Sequence, residues 1–262
     1  IPRIWLGAPN SIKGPTEASF PRQTGSNLLF VGQNDDSVLA MLTASLLALA
    51  AQHPRGSARF LVLDASPAGS AERIRIEKLV ASIPHEIQLR GNPDLPELMS
   101  DLSGRLRQRT EDGVSELAPR IYLIVHQLPR FRGLRFEEDF GYSTADSTGA
   151  PTPGRVLQQV LSEGSALGIH VLCSCDTYGN TIRFLGRKAL GEFEMRVLFQ
   201  MNANDSANLI DAPAAAALGL YRALFHHLRE GTTEVFRPYA LPPADWVERA
   251  VASLRRSTGS HA

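Results

Sequence analysis

The sequence predicts an α/β fold with a mostly parallel central sheet and helices on both of its faces. Two observations carry that expectation. Short runs rich in Val, Ile, Leu and Phe recur along the chain, and segments with apolar residues at helical spacing separate them. A chain that alternates in this way returns to the same sheet edge through each helix, so neighbouring strands run parallel and both faces become buried. Ligands of such sheets sit at the carboxyl ends of the strands, so that edge is where chemistry is sought.

The elements follow in order. Asn27-Leu-Leu-Phe-Val-Gly32 reads as a buried strand ending in glycine, with a helix from about Asp36 to Gln52 after it. His53-Pro-Arg-Gly-Ser57 is a turn, and Arg59-Phe-Leu-Val-Leu-Asp64 is a second strand with a polar end. Ala71 to Ala81 reads as helical and Glu86-Ile-Gln-Leu89 as a short strand. Asn92 offers an N-cap with Pro93 at the first helical position, and Leu98, Leu102 and Leu106 recur every four residues on one helix face. Ile121-Tyr-Leu-Ile-Val125 is the most strand-like run. The stretch 132–149 has the composition of a long loop. Thr152-Pro153 opens another helix, carried by Val156, Leu157, Val160 and Leu161. Strands are expected over Ile169–Cys173, Met195–Met201, Ala223–His226 and Glu234–Phe236, with a closing helix from Pro243 to Leu254.

Composition limits function. Lys and Arg together number 27, as do Asp and Glu, so no whole-domain basic field draws in nucleic acid. No apolar run approaches the roughly 18 residues of a membrane span. The two cysteines, Cys173 and Cys175, are read as plain buried thiols of a reducing, cytoplasmic compartment, with side chains on opposite faces of a strand. A lone Cys-x-Cys supplies too few ligands for structural zinc. No metal site and no catalytic residue is assigned. The first residue is Ile1, which is read as a piece taken from a longer protein.

A phosphate-binding loop has the pattern G-x-x-x-x-G-K-[ST] between a buried strand and a helix. Here the matching run is Gly32-Gln33-Asn34-Asp35-Asp36-Ser37-Val38-Leu39. Only the first glycine remains: Ser37 replaces the second glycine, Val38 the lysine and Leu39 the Mg²⁺-binding hydroxyl. Asp35 and Asp36 at a helix N-terminus would cap its free N–H groups and repel phosphate.

Further motifs give the loop a context. Ile121-Tyr-Leu-Ile-Val125 is followed by His126 and Gln127; Ala166-Leu-Gly-Ile-His-Val-Leu172 precedes Ser174-Cys-Asp-Thr177. Arg196-Val-Leu-Phe-Gln-Met201, Asp205-Ser-Ala-Asn-Leu-Ile-Asp211 and Leu218-Gly-Leu-Tyr-Arg-Ala-Leu224 complete the set. In order and spacing, from about Asn27 to Tyr239, the chain resembles the FtsK/SpoIIIE family of RecA-like translocase ATPases. The resemblance implies a RecA-like P-loop NTPase three-layer fold in one domain over residues 1–262, with its core at about 27–239, a long loop at about 132–152 and a C-terminal helix at about 243–256. It implies that His126 and Gln127 stand where the family's Walker B Asp and Glu would be. Asp176 and Thr177 stand at the family's sensor Gln and Arg. Gln is a poor base, and His lacks the carboxylate that Mg²⁺ prefers.

Scaffold motifs persist while catalytic ones are replaced. The expectation is therefore a degenerate, non-hydrolysing module of a multi-domain translocase, serving assembly, regulation or substrate docking. Its partners would be sister ATPase domains or other subunits and a protein substrate, with DNA not favoured. No cofactor is expected, and ATP with Mg²⁺ only at low affinity. The alternative is a nucleotide-binding motor that drives DNA or protein translocation. His170 is expected to be a hydrogen-bonded structural residue, and His226 and His227 to diverge on a strand. Glu137-Glu-Asp139 with Phe136, Phe140 and Tyr142 reads as a solvated loop or an acidic-aromatic contact, with Arg130, Arg132 and Arg135 before it as a small basic patch.

Overall fold

The computed structural model describes residues 1–115, 118–136 and 151–259. Ten strands of these residues form one sheet: β1 (Arg3–Pro9), β2 (Thr16–Ser19), β3 (Leu28–Val31), β4 (Ala58–Asp64), β5 (Glu86–Arg90), β6 (Arg120–His126), β7 (Ile169–Cys175), β8 (Met195–Leu198), β9 (Ala223–His227) and β10 (Thr232–Pro238). Their order is β2-β1-β10-β9-β8-β3-β7-β6-β4-β5. The six strands from β8 to β5 pair in parallel, and the four from β9 to β2 continue the sheet antiparallel.

Side-chain alternation divides the sheet into two cores. Leu29, Leu61, Leu123 and Val171 face a layer made by α3 (Leu95–Asp112), α4 (Pro153–Gln159), α5 (Tyr178–Gly191) and α6 (Ala203–Ile210). Phe30, Phe60, Ile124 and Leu172 face α1 (Asp35–Gln52), α2 (Ala71–Ser82) and α7 (Ala244–Gly259). The result is the expected three-layer arrangement. β7, with the Gly-Ile-His run, lies between β3 and β6, so the ends of these three strands converge on one edge.

Several expectations are corrected. The β1–β2 hairpin and helices α5 and α6 are additional elements. The strand expected over residues 195–201 ends at Leu198. Asn92-Pro-Asp94 forms a 3-10 turn, and α3 begins one turn later, at Leu95. The long-loop region contains a 3-10 turn at Arg132–Leu134. Glu137, Glu138, Asp139, Phe140 and Tyr142 lie outside the described residues. Cys173 and Cys175 are buried free thiols, but they share a face, because residues i and i+2 of a strand point the same way.

Candidate functional site

The loop after β3 is short. Gly32 has φ 137°, and a Cβ there would meet Phe199 Cβ at 2.6 Å, so both its backbone and its packing call for glycine. Asn34 is the N-cap of α1, and its side chain accepts a hydrogen bond from the Ser37 N–H at 3.2 Å. The expectation that Asp35 and Asp36 cap this helix is therefore corrected. A cap must precede the first helical residue for its oxygen to reach the N–H three positions on, and Asn34 holds that place. Asp35 and Asp36 are exposed in the first turn, where they act on the helix dipole as charges. Gln33 is exposed. Val38 and Leu39, at the lysine and hydroxyl positions, are 3% and 6% exposed and belong to the core.

At the end of β6 the two residues part. His126 is buried on the α1–α2 side of the sheet, 2% exposed. Its Nδ1 lies 3.0 Å from Asp64 Oδ1, and its Nε2 lies 3.3 Å from Glu72 Oε1. Asp64 Oδ1 also accepts from the Ser66 hydroxyl at 2.7 Å, and Arg73 Nη1 approaches Asp64 Oδ2 at 3.2 Å. Burial alone would raise the Asp64 pKa; the hydrogen bonds from His126 and Ser66 outweigh it and hold the carboxyl at about 2. Gln127 adopts φ 56°, and its N–H donates to Ser174 Oγ at 2.7 Å.

At the end of β7, Thr177 is the N-cap of α5 and accepts from the Asn180 N–H at 3.2 Å. The exposed Asp176 accepts from the Asn180 amide at 2.9 and 3.1 Å. Asp176 and Thr177 thus build a helix start.

A cleft of about 240 Å³ lies among these ends, lined by Gly32, Asp35, Val38, Gln127, Arg130 and Asp176, among others. It brings together five of the twelve positions singled out from the sequence. Gln33, Asn34, Asp36, Ser37 and Thr177 are not among its lining residues. Leu39 and His126 instead share a small apolar void on the α1–α2 side. Arg130, Ser174 and Cys175 were not assigned to the site from sequence. Arg130 had been noted only as part of a basic patch, and the other two are revealed by strand parity and end position. Burial pushes the Cys175 thiol up to about 11, so it is no nucleophile at neutral pH. Two carboxylates face one guanidinium here, the reverse of a phosphate cradle. Among the described residues no cluster of His, Cys, Asp or Glu suits a metal ion.

His170 and His226 are structural. His170 is fully buried, with Nδ1 2.9 Å from Ser26 O and Nε2 3.1 Å from an Arg120 guanidinium nitrogen; burial lowers its pKa to about 3. His226 is buried beside Thr233 Oγ1 at 2.9 Å, while His227 is only partly covered.

No family model and no curated protein matches the chain. Solved structures do. The monomer form of the pCW3 conjugation coupling protein TcpA with ATPγS superposes with a TM-score of 0.68 at 13% identity, over 97% of this chain and 70% of that one. The cytoplasmic domain of the type VII secretion ATPase EccC of Thermomonospora curvata gives 0.68 at 17%, over 98% of this chain and 31% of that one. ATPases 2 and 3 of EssC from Geobacillus thermodenitrificans give 0.66 at 11%, over 100% of this chain and 50% of that one. The chain thus spans half or less of the EccC and EssC chains. No helix among the described residues is long and apolar enough to cross a membrane. The two-faced helix layers and these superpositions agree: the chain has the α/β three-layer fold of the ATPase domains of TcpA, EccC and EssC.

Proposed function

We propose that this chain is a non-hydrolysing ATPase-like module that serves assembly, regulation or substrate docking in a larger translocase. One observation carries the proposal: α1 begins at Asp35, so a helical turn fills the chain segment that would wrap phosphates. A cradle needs several free backbone N–H groups and an ammonium. Here Asn34 takes the Ser37 N–H, and Val38 is packed in the core. The cleft, about 240 Å³, is smaller than the roughly 300–1,000 Å³ of ordinary small-molecule sites. His126 is hydrogen-bonded to Asp64 and is not among the residues that line this cleft.

The likeness to TcpA, EccC and EssC supports sister ATPase modules as partners, in a cytoplasmic setting. Isothermal titration with ATP·Mg²⁺, with a phosphate-release assay alongside, tests the reading. The expected result is no saturable heat below the millimolar range and no turnover. Micromolar binding weakened by Arg130→Ala, or measurable turnover, would establish the opposing reading of an active motor.

A further inference from the structure

A second cleft lies at the opposite edge of the sheet, against the amino-terminal ends of β4 and β6. Its volume is about 350 Å³, within the range of small-molecule sites. Arg59 on β4 and Arg105 and Arg109 on α3 line it, together with Glu86, Gln108 and Asp112. Arg105 and Arg109 are four residues apart and so share a helix face.

Arg22 stands behind them. A Cβ on Gly168, whose φ is +77°, would meet Arg22 Nε at 2.9 Å and Arg109 Nη1 at 3.6 Å. Glycine at this position therefore lets two guanidinium groups converge on the start of β7.

The charges do not balance within the cluster. Arg59 Nε pairs with Glu86 at 2.7 Å, and Arg105 Nε with Asp101 at 2.7 Å. Arg22 and Arg109 donate only to neutral carbonyls: Ser115 and Ala118 accept from Arg22, and Leu167 and Pro119 accept from Arg109. Among the described residues neither has a carboxylate partner. Asp112 at the rim offsets part of this excess. Burial, then the neighbouring Arg22, Arg105 and Arg59 charges, lower the Arg109 pKa to about 10. One nitrogen of the lining guanidinium groups, Arg59 Nη1, is covered from solvent without a hydrogen-bond acceptor. Such unsatisfied donors are costly, and a bound ion is one of their ordinary explanations.

We propose that this cleft binds an oxyanion of the phosphate class, held by Arg59, Arg105 and Arg109. Guanidinium groups in convergent array match phosphate oxygens in both geometry and charge. The site is distinct from the degenerate nucleotide cleft and does not depend on the function proposed above.

Isothermal titration with inorganic phosphate, at constant pH and ionic strength, tests the proposal. A saturable isotherm is expected. Arg105→Gln and Arg59→Gln should each weaken it by about ten-fold or more, as loss of one charge-assisted hydrogen bond implies. Arg187→Gln, exposed on α5, should leave it unchanged. Arg105 is partly exposed and packs on the surface of α3, so its variant guards against a folding defect in Arg59→Gln. Absence of saturable heat overturns the proposal, as does wild-type affinity in both variants. Acetate binding as tightly as phosphate would overturn the phosphate assignment.

Discussion

His126, which the family resemblance sets at the Walker B position, has a structural counterpart in Asp64. An imidazole at the end of β6 meets a carboxylate at the same level of β4, since Asp64 and His126 are partners in the strand register. The Asp64 side chain is fully buried, and its pKa of about 2 lies below the ordinary value near 4. A carboxyl with a depressed folded pKa stabilises the fold fully above its unfolded value. That stability disappears as pH falls through about 4 to 2. It amounts to about 2 kcal/mol. Urea unfolding measured from pH 6 to pH 2 should therefore show a loss of this size in the wild-type chain, and the loss should be smaller in Asp64→Asn. An unchanged pH profile in Asp64→Asn would refute the assignment. Removing the donor alone, His126→Leu, should cost about 2–4 kcal/mol at pH 7, because it leaves a buried carboxylate short of a partner.

Helix α1 bears on whether two substitutions at its start can create a nucleotide site. Val38 and Leu39 face the core beneath the sheet, and α1 is already wound from Asp35. The double change Val38→Lys with Leu39→Thr would bury an ammonium and a hydroxyl where apolar side chains pack. We expect no gain in ATP affinity by titration and a stability loss of about 2–4 kcal/mol by denaturant unfolding. Micromolar ATP binding by this variant would show that the first turn can reopen into a phosphate loop and that Asp35 and Asp36 do not block it. At the same terminus, Asn34→Ala should cost about 1 kcal/mol through loss of the cap. Much of this element was legible beforehand: the buried strand, the terminal glycine and the absent lysine stand in the sequence. The capping residue was not, because Asn and Asp are both good caps and only the helix start distinguishes them. Helix α5 escaped notice for a related reason. Gly179 and the non-helical Gly186 interrupt its pattern, although the Thr177 cap and the buried Thr181, Phe184 and Leu185 were there to be read.

At the scale of the molecule, the parallel half of the sheet was readable because its strands are buried on both sides and form continuous apolar runs. The β1–β2 hairpin was harder to read. In β1 only Ile4, Leu6 and the bulge glycine are buried, while Trp5 faces out, and Pro9 and Gly7 break the run. The site positions converged only through strand order, which periodicity does not encode; sequence could name the ends of β3, β6 and β7 but not which side of the sheet His126 would take. The same layering assigns α7 a peripheral place. It reaches α1 and α2 through Val251 and Leu254, which are buried, while Trp246 remains 46% exposed. Such a helix is held by few buried side chains, and it should open with a smaller free energy than the sheet. The chain has two tryptophans, Trp5 and Trp246, so in a Trp5→Phe variant the emission of Trp246 reports on α7 alone. In a urea titration followed by both fluorescence and far-UV circular dichroism, the Trp246 transition should come at lower urea than the main loss of ellipticity. Coincident midpoints would mean that α7 unfolds with the core, and that its packing is coupled to the whole of the α1–α2 layer.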